Sequence, residues 1–284
     1  MPLVSMNHFL PQAKQEKFAV GQFNMNNLEY VQGIIEAGKE EKSPLIFGAS
    51  EGAIRYIGLN NVVALARIAA DESGLPVALH LDHGSSFDVV MKCIHAGFSS
   101  VMFDGSHYPL EENIRLTKKV VEAAHAVGIS VEGELGTIGG VEDDLVVADE
   151  DAQMANAQEA IHFWKETRVD ALAIAVGTAH GMYKGEPKIR YDIIDEVSKQ
   201  VEVPIVLHGG SGVPDEAIQK SISLGVGKIN VNTENQVEST KVVRQLLEQN
   251  SEMIDPRKYL GPAREAIKEV VKMKMRLFGS SGKA

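Results

Sequence analysis

The chain has 284 residues, 44% of them hydrophobic and 24% charged, and a formal net charge of −11. That length suits two small domains or one α/β barrel of about 250 residues with extensions, while the acidic balance argues against nucleic acid or an anionic membrane as a partner. No apolar stretch approaches the roughly 20 residues of a membrane span, the opening MPLVSMNHFL has no basic segment followed by an apolar core, and the lone Cys93 can form no internal disulfide, so a cytoplasmic protein is expected.

Apolar, β-branched runs recur along the chain: FAVGQFNM (18–25), PLIFGAS (44–50), VALHLDH (77–83), SVMFDGS (100–106), SVEGELG (130–136), ALAIAVG (171–177), PIVLHGG (204–210) and KINVNTE (228–234). Near-continuous runs bounded by Gly, Ser or Pro suit strands covered on both faces. Amphipathic helices fill the gaps. After NMNN, Leu28, Val31, Ile34 and Ile35 share one face, and Cys93 in MKCIHAG reads as a packing thiol on a helix. Pro109 followed by LEEN opens another helix, whose apolar face continues through Ile114, Val120, Val121 and Ala124. The stretch TIGGVEDDLVVADEDAQ reads as a long irregular loop with a glycine hinge. From Asp255 a Pro turn leads into a long amphipathic helix whose KMKMR run reads as a solvated face. Eight strand–helix alternations without a linker predict one (β/α)8 TIM barrel over 1–284, with a C-terminal helical extension at 255–284. An open doubly wound sheet would carry a GxGxxG turn after its first strand, which FAVGQFNMNN lacks.

In such a barrel functional groups lie where strands pass into the following loops. Those ends carry Asn24, Ser50, Asp82 with His83, Asp104, Glu134, His180, His208, and Asn230 with Asn232 and Thr233. His83, His180 and His208 are each followed by Gly. Singly each is as well read as a hydrogen-bonded rim histidine; together, three neutral imidazoles suit zinc and leave a coordination position open. His80, of opposite parity to His83, is assigned to packing or support. His8, His95, His125 and His162 fall in helical or terminal segments, and His107 lies beside the rim.

Alternation turns Asp82 to the other side of its strand from His83, unless the strand end is distorted. There it can exchange a proton with a substrate lying over the ion, or else orient His83. Asp104 and Glu134 either bind a second or alternative metal or form salt bridges across the mouth. The turn with Gly209, Gly210 and Ser211, followed by Asn230, Val231, Asn232 and Thr233, matches the anion site of this fold, where backbone N–H groups face a phosphate. Lys184 either adds the positive charge that site needs or is a solvated loop lysine. Glu142, beyond the glycine pair, either removes a carbon-bound proton or is plain surface.

At these residues the chain resembles the class II, metal-dependent fructose-bisphosphate aldolases. VALHLDHG (77–84) and VEGELGTIGGVE (131–142) are similar to that family's two diagnostic stretches, and GQFNMNN, DGSHYPLEEN, HGMYKGEP, LHGGSG, KINVNTENQ and DPRKYLGPAR to further blocks, nearly end to end. The resemblance implies a (β/α)8 barrel, usually dimeric or tetrameric, that breaks and forms a carbon–carbon bond in glycolysis and gluconeogenesis. It implies zinc on His83, His180 and His208, with Asp104 and Glu134 at an alternative metal position. Asp82 would give and take the proton at the substrate hydroxyl or aldehyde, and Glu142 would take the C–H proton. Gly181, Lys184, Gly209, Gly210, Ser211 and residues 230–233 would grip dihydroxyacetone phosphate, with Asn24 near the reacting carbons. Ser50 would lie near the glyceraldehyde phosphate portion, and Arg257 would hold the distal phosphate, within or across a subunit boundary. Members often also use a monovalent cation.

Rival readings remain. A Schiff-base aldolase needs a lysine aimed into the mouth; strand six ends without one, and Lys228 is expected to begin strand eight at the opposite rim. Tagatose-bisphosphate aldolase, or the keto-deoxy-phosphogluconate-type aldolase of inositol breakdown, would keep the chemistry and change the sugar. The family resemblance makes residue 232 an epimer discriminator, Asp in many fructose enzymes and Ala in tagatose enzymes; here it is Asn232. The DPRKYLGPAREA tail looks more like the glycolytic enzymes, which favours fructose 1,6-bisphosphate. A non-catalytic phosphosugar-binding protein on the same scaffold would need a broken site.

Overall fold

The structure, a computed structural model, describes residues 2–142, 145–148, 152–181, 183 and 185–284. Eight strands form its centre: β1 (Val20–Asn24), β2 (Leu45–Ser50), β3 (Val77–Gly84), β4 (Ser100–Phe103), β5 (Ser130–Leu135), β6 (Ala171–Ile174), β7 (Ile205–Leu207) and β8 (Val226–Val231). Every neighbouring pair is parallel, and β1 closes on β8 with Val20 opposite Lys228 and Gln22 opposite Asn230. The result is a closed eight-stranded α/β barrel, as the alternation of runs predicts. Strand residues are buried whichever way they point, because helices cover the outside while side chains fill the inside.

The helices are α1 (Leu10–Glu16), α2 (Leu28–Glu41), α3 (Glu51–Ile57), α4 (Leu59–Ser73), α5 (Phe87–Ala96), α6 (Leu110–His125), α7 (Ala157–Thr167), α8 (Tyr191–Gln200), α9 (Asp215–Ser223), α10 (Thr233–Gln249) and α11 (Arg257–Phe278). Local chemistry sets their starts. Asn27, Ser50, Ser86 and Asn156 each accept a backbone N–H from the first turn of α2, α3, α5 and α7. On α2, Val31 and Ile34 are buried as expected, but Leu28 is 46% exposed, since it opens the helix ahead of the turn that meets the barrel. Cys93 is buried on α5, where desolvation pushes its thiol up to about 12.

The barrel interior is stratified. Its lower layer is apolar: Val20, Ile46, Ala78, Ala171, Ala173 and Val206 pack on Met6, Phe9, Leu10 and Ala13 from the N-terminal segment. Lys14 on α1 secures that plug, its ammonium donating to the carbonyls of Ser198, Val201 and Val203 at 2.6–3.2 Å. Above lies a polar layer of Gln22, His80, Ser100, Glu132 and Lys228, all fully buried. The functional mouth sits on top of it.

Three expectations need correction. The segment after β5 is not an irregular loop: Gly139–Glu142 and Leu145–Val147 form a hairpin whose first strand pairs in parallel with Ala179–His180. The KMKMR run is not wholly solvated, because α11 packs on α2 and α10 and so buries Lys274 and Met275, with Lys274 paired to Glu234 at 2.7 Å. Lys228 does not begin β8 at the far rim. Val226 and Gly227 extend the strand ahead of it, and alternation turns its side chain into the interior.

Candidate metal centre and barrel mouth

His208 directly follows β7, and His83 lies within the last turn of β3. His180 stands six residues beyond the end of β6, on the short strand that pairs with the hairpin, so it is held by the loop sheet rather than by the barrel rim. The three rings nevertheless meet, with centroids 4.8 Å (His83–His208), 5.2 Å (His83–His180) and 5.7 Å (His180–His208) apart. One nitrogen from each lies within 4.8 Å of the other two.

The partners of two rings show which nitrogens are offered. His83 Nδ1 sits 3.0 Å from Asp104 Oδ2, and His208 Nε2 sits 2.9 Å from Glu132 Oε1. A carboxylate only accepts, so each of those nitrogens carries the ring's proton. The remaining pair, His83 Nε2 and His208 Nδ1, face each other at 3.0 Å. Those two nitrogens point into the space between the rings, where a shared cation would take both in place of the proton between them. The donor set of three imidazoles suits zinc or another borderline divalent metal.

His83, Asp104 and Glu134 form a second group whose ligand atoms lie within 4.8 Å of one another. Burial alone would raise Asp104, but the His83 ring and the Ser106 N–H hold its carboxyl well below the usual range. Glu134 moves the other way: burial, and then the negative charge of Asp104, raise it well above an ordinary glutamate. Its Oε2 is buried without a hydrogen-bond partner among the described residues, which fits a site able to take a cation. The Asn113 amide donates to the Glu134 carbonyl at 2.9 Å and keeps this strand end in place.

Asp82 is fully buried beside the three rings. Its Oδ1 accepts from the Asn230 amide at 3.3 Å, and its Oδ2 from the Asn24 amide at 3.5 Å. Asp104 orients His83 through its Nδ1. His80 lies below, its Nδ1 2.7 Å from Ser100 Oγ; burial, reinforced by Lys228, depresses its pKa to about 3 and keeps the ring neutral.

The anion turn lies across the mouth. His180, Gly181, Gly209, Ser211, Asn230, Asn232 and Thr233 line one cavity. Gly209 has φ +65°, and a Cβ there would fall 2.3 Å from the Ala179 carbonyl oxygen, so only glycine fits. Gly210 packs on Ile229, and Ser211 Oγ accepts from the Glu234 N–H at 3.2 Å. Val231 is buried in the layer between barrel and helices, so only its backbone can serve the mouth. Asn232 is oriented by the Asn26 amide at 3.0 Å.

Comparisons with known proteins show the family. Residues 4–283 match the family described as fructose-bisphosphate aldolase class-II. The chain belongs to that family. Similar proteins include one named "Probable fructose-bisphosphate aldolase" from Bacillus subtilis, 55% identical over all of both chains, and the fructose-bisphosphate aldolase of Staphylococcus aureus, 53% identical over all of both chains. Among solved structures, the YdjI aldolase of Escherichia coli K12 superposes with a TM-score of 0.86 at 33% identity, covering 99% of each chain. The class II aldolases are carbon–carbon lyases and are generally metal-dependent.

In this aldolase Ser50 lies opposite Asp82 in the β2–β3 pairing, whereas Arg257 stands apart from the cluster. Ser50 is the N-cap of α3, its hydroxyl accepting the Ala53 N–H at 3.1 Å. Arg257 is 89% exposed, pairs with Asp255 at 2.9 Å, and is not among the residues lining the mouth cavity. Lys184 lies outside the described residues, and of Glu142 only the backbone is described, at the end of the hairpin's first strand. Sequence reasoning passed over Glu132 and Tyr183. Glu132 shares parity with Glu134 in VEGELG, a legible signal. Tyr183 had none beyond its place in HGMYKG: its hydroxyl donates to the Gly209 carbonyl and accepts the Ala179 N–H, joining the His180 segment to the glycine turn.

Proposed function

We propose that this class II aldolase reversibly joins dihydroxyacetone phosphate and glyceraldehyde 3-phosphate into fructose 1,6-bisphosphate, as a cytoplasmic enzyme of glycolysis and gluconeogenesis. The whole chain acts as one catalytic barrel with its C-terminal helical extension, assembled as a homodimer or homotetramer. The convergence of His83 and His208, whose Nε2 and Nδ1 lie 3.0 Å apart, with His180 alongside and Asp82 adjacent, carries the reading. Zinc is the metal assigned to the three histidines, Asp104 and Glu134 offer the alternative position, and a monovalent cation is a further expected cofactor. When bound, the divalent ion polarises the substrate carbonyl and stabilises negative charge on its oxygen.

The chain's own residues then divide the work. In cleavage Asp82 accepts the hydroxyl proton of the aldehyde-forming carbon. The carbon–carbon bond breaks, its electron pair stays with the dihydroxyacetone phosphate half, and the Glu142 carboxyl delivers a proton to that carbon. Synthesis runs the same transfers backwards. Asn24 and Asn230 hold the Asp82 carboxylate through its two oxygens. Gly181, Gly209, Gly210, Ser211 and residues 230–233, helped by Lys184, grip one phosphate. Ser50 and Arg257 are assigned to the glyceraldehyde phosphate end.

The assay is cleavage of fructose 1,6-bisphosphate, tagatose 1,6-bisphosphate and the keto-deoxy-phosphogluconate by purified protein, before and after chelation. Fructose bisphosphate is expected to be cleaved best, the chelated protein to be inert, and added zinc to restore it. Activity that survives the chelator but falls to borohydride plus substrate would overturn the metal mechanism. A metal-loaded sample that binds phosphosugar without cleaving it would make this a binding protein. A strong preference for tagatose bisphosphate would move the substrate assignment, with Asn232 as the first residue to examine.

A further inference from the structure

We propose that Lys228 is a positioning residue that holds the metal-ligand side and the proton-transfer side of the mouth in register from below. The inference rests on the aldolase reading above. Lys228 is fully enclosed in the barrel interior, where an ammonium is costly and an apolar side chain of similar length would pack at less expense. Its Nζ makes two contacts that lead in different directions.

One leads to His208. Nζ lies 2.8 Å from Glu132 Oε2, and the other oxygen of that carboxylate takes the His208 Nε2 proton at 2.9 Å. The ammonium and the imidazole thus hold the two oxygens of one carboxylate, which can only accept. The charged carboxylate thereby fixes the tautomer of His208 and turns its Nδ1 toward His83.

The other leads to Asp82. Nζ donates to Asn230 Oδ1 at 2.8 Å. An ammonium has only protons to give, so the amide oxygen of Asn230 must face it and the amide nitrogen must face away. That nitrogen is the group 3.3 Å from Asp82 Oδ1. Lys228 and Asp82 thus select the same orientation of the Asn230 amide from its two ends; without Lys228 only the longer contact to Asp82 holds the amide in place.

The test compares metal-loaded wild type with Lys228→Met, Asn230→Ala and the Lys228→Met/Asn230→Ala double variant. Lys228→Met alone strands the Glu132 carboxylate, so Glu132→Gln/Lys228→Met is made beside it; that pair leaves no unpaired charge and keeps an acceptor for His208. Loss of Lys228 is expected to lower kcat by about 10- to 100-fold with KM unchanged. In the Asn230→Ala background the same substitution should do little more. A crystal structure of the Glu132→Gln/Lys228→Met protein should show the Asn230 amide withdrawn from Asp82. Wild-type kcat in that pair variant, losses that multiply in full with Asn230→Ala, or an Asn230–Asp82 contact kept intact would each overturn the proposal. A wild type that cleaves no bisphosphate would refute the aldolase reading and not this one, which the crystal structure then decides.

Discussion

Asp82 and His83 are neighbours on β3, yet both reach the same cluster of side chains. The strand ends in a register shift between Leu81 and Gly84, and His83 takes φ +50°. The left-handed residue undoes the alternation that would otherwise send adjacent side chains to opposite faces of the sheet. Such a conformation is uncommon for a residue other than glycine, and here it delivers an imidazole and a carboxylate from consecutive positions. His83 then meets His208 at 3.0 Å while Asp82 accepts from Asn24 and Asn230.

Asp82→Ala should therefore separate the two duties. The carboxylate accepts from the Asn24 and Asn230 amides, so the variant should keep full metal content while kcat falls by about 10²- to 10⁴-fold, the range for a lost general acid–base. Elemental analysis beside a cleavage assay checks this. Loss of metal with activity would place Asp82 in the coordination sphere.

Gly140→Ala tests whether the hairpin positions His180. Gly140 has φ +105°, and a Cβ there would fall 2.1 Å from the His180 carbonyl oxygen. The hairpin must shift off its partner strand, so metal affinity should drop, by about 10- to 100-fold if His180 behaves as a ligand held by its surroundings. Competition with a chromogenic chelator reads it, and an unchanged affinity would detach the hairpin from the metal site.

Cys93 should be inert. Its thiol is buried and pushed up to about 12 by desolvation, with a small contribution from Glu51. Thiolate is the reactive form, so native protein at pH 8 should give no fast colour with a disulfide reagent, and full reaction only after denaturation. Rapid labelling of the native protein would contradict the packing.

His80 supplies a pH dependence. In the folded chain its pKa is depressed to about 3, chiefly by burial and then by Lys228, whereas an unfolded histidine titrates near 6.5. The unfolded chain therefore binds a proton that the folded one refuses. His80's contribution to stability is complete above pH ~6.5 and is lost as pH falls toward 3. Between pH 7 and pH 5 that amounts to about 2 kcal/mol. Urea unfolding of chelated protein across this range, compared with His80→Gln, should show a shallower decline for the variant; parallel declines would assign the pH dependence to other groups.

Much of the site was legible because a parallel barrel aims its strand ends at one mouth. Once the eight runs are found, Asn24, Asp82, Asp104, Glu134, His208 and Asn230 fall on that rim by counting. His180 was found for an inexact reason: it follows an apolar run, but the hairpin's pairing with Ala179–His180, not the end of β6, holds it. Lys228 was misplaced because a strand's first residue is poorly marked when Val-Gly can extend it by two.

The barrel and the family can be read from the unfolded chain, since hydrophobic period and long motifs are local properties. So can the residue types that stand at the strand ends. Which nitrogen His83 and His208 turn to their carboxylates, which carboxyl is raised and which lowered, and the place of Lys228 under the site emerge only in the folded chain. Those outcomes depend on partners up to 148 residues away in the chain, as for Asn230 and Asp82, and on the exclusion of water around them. A buried charge takes its state from whatever the fold places within hydrogen-bonding distance.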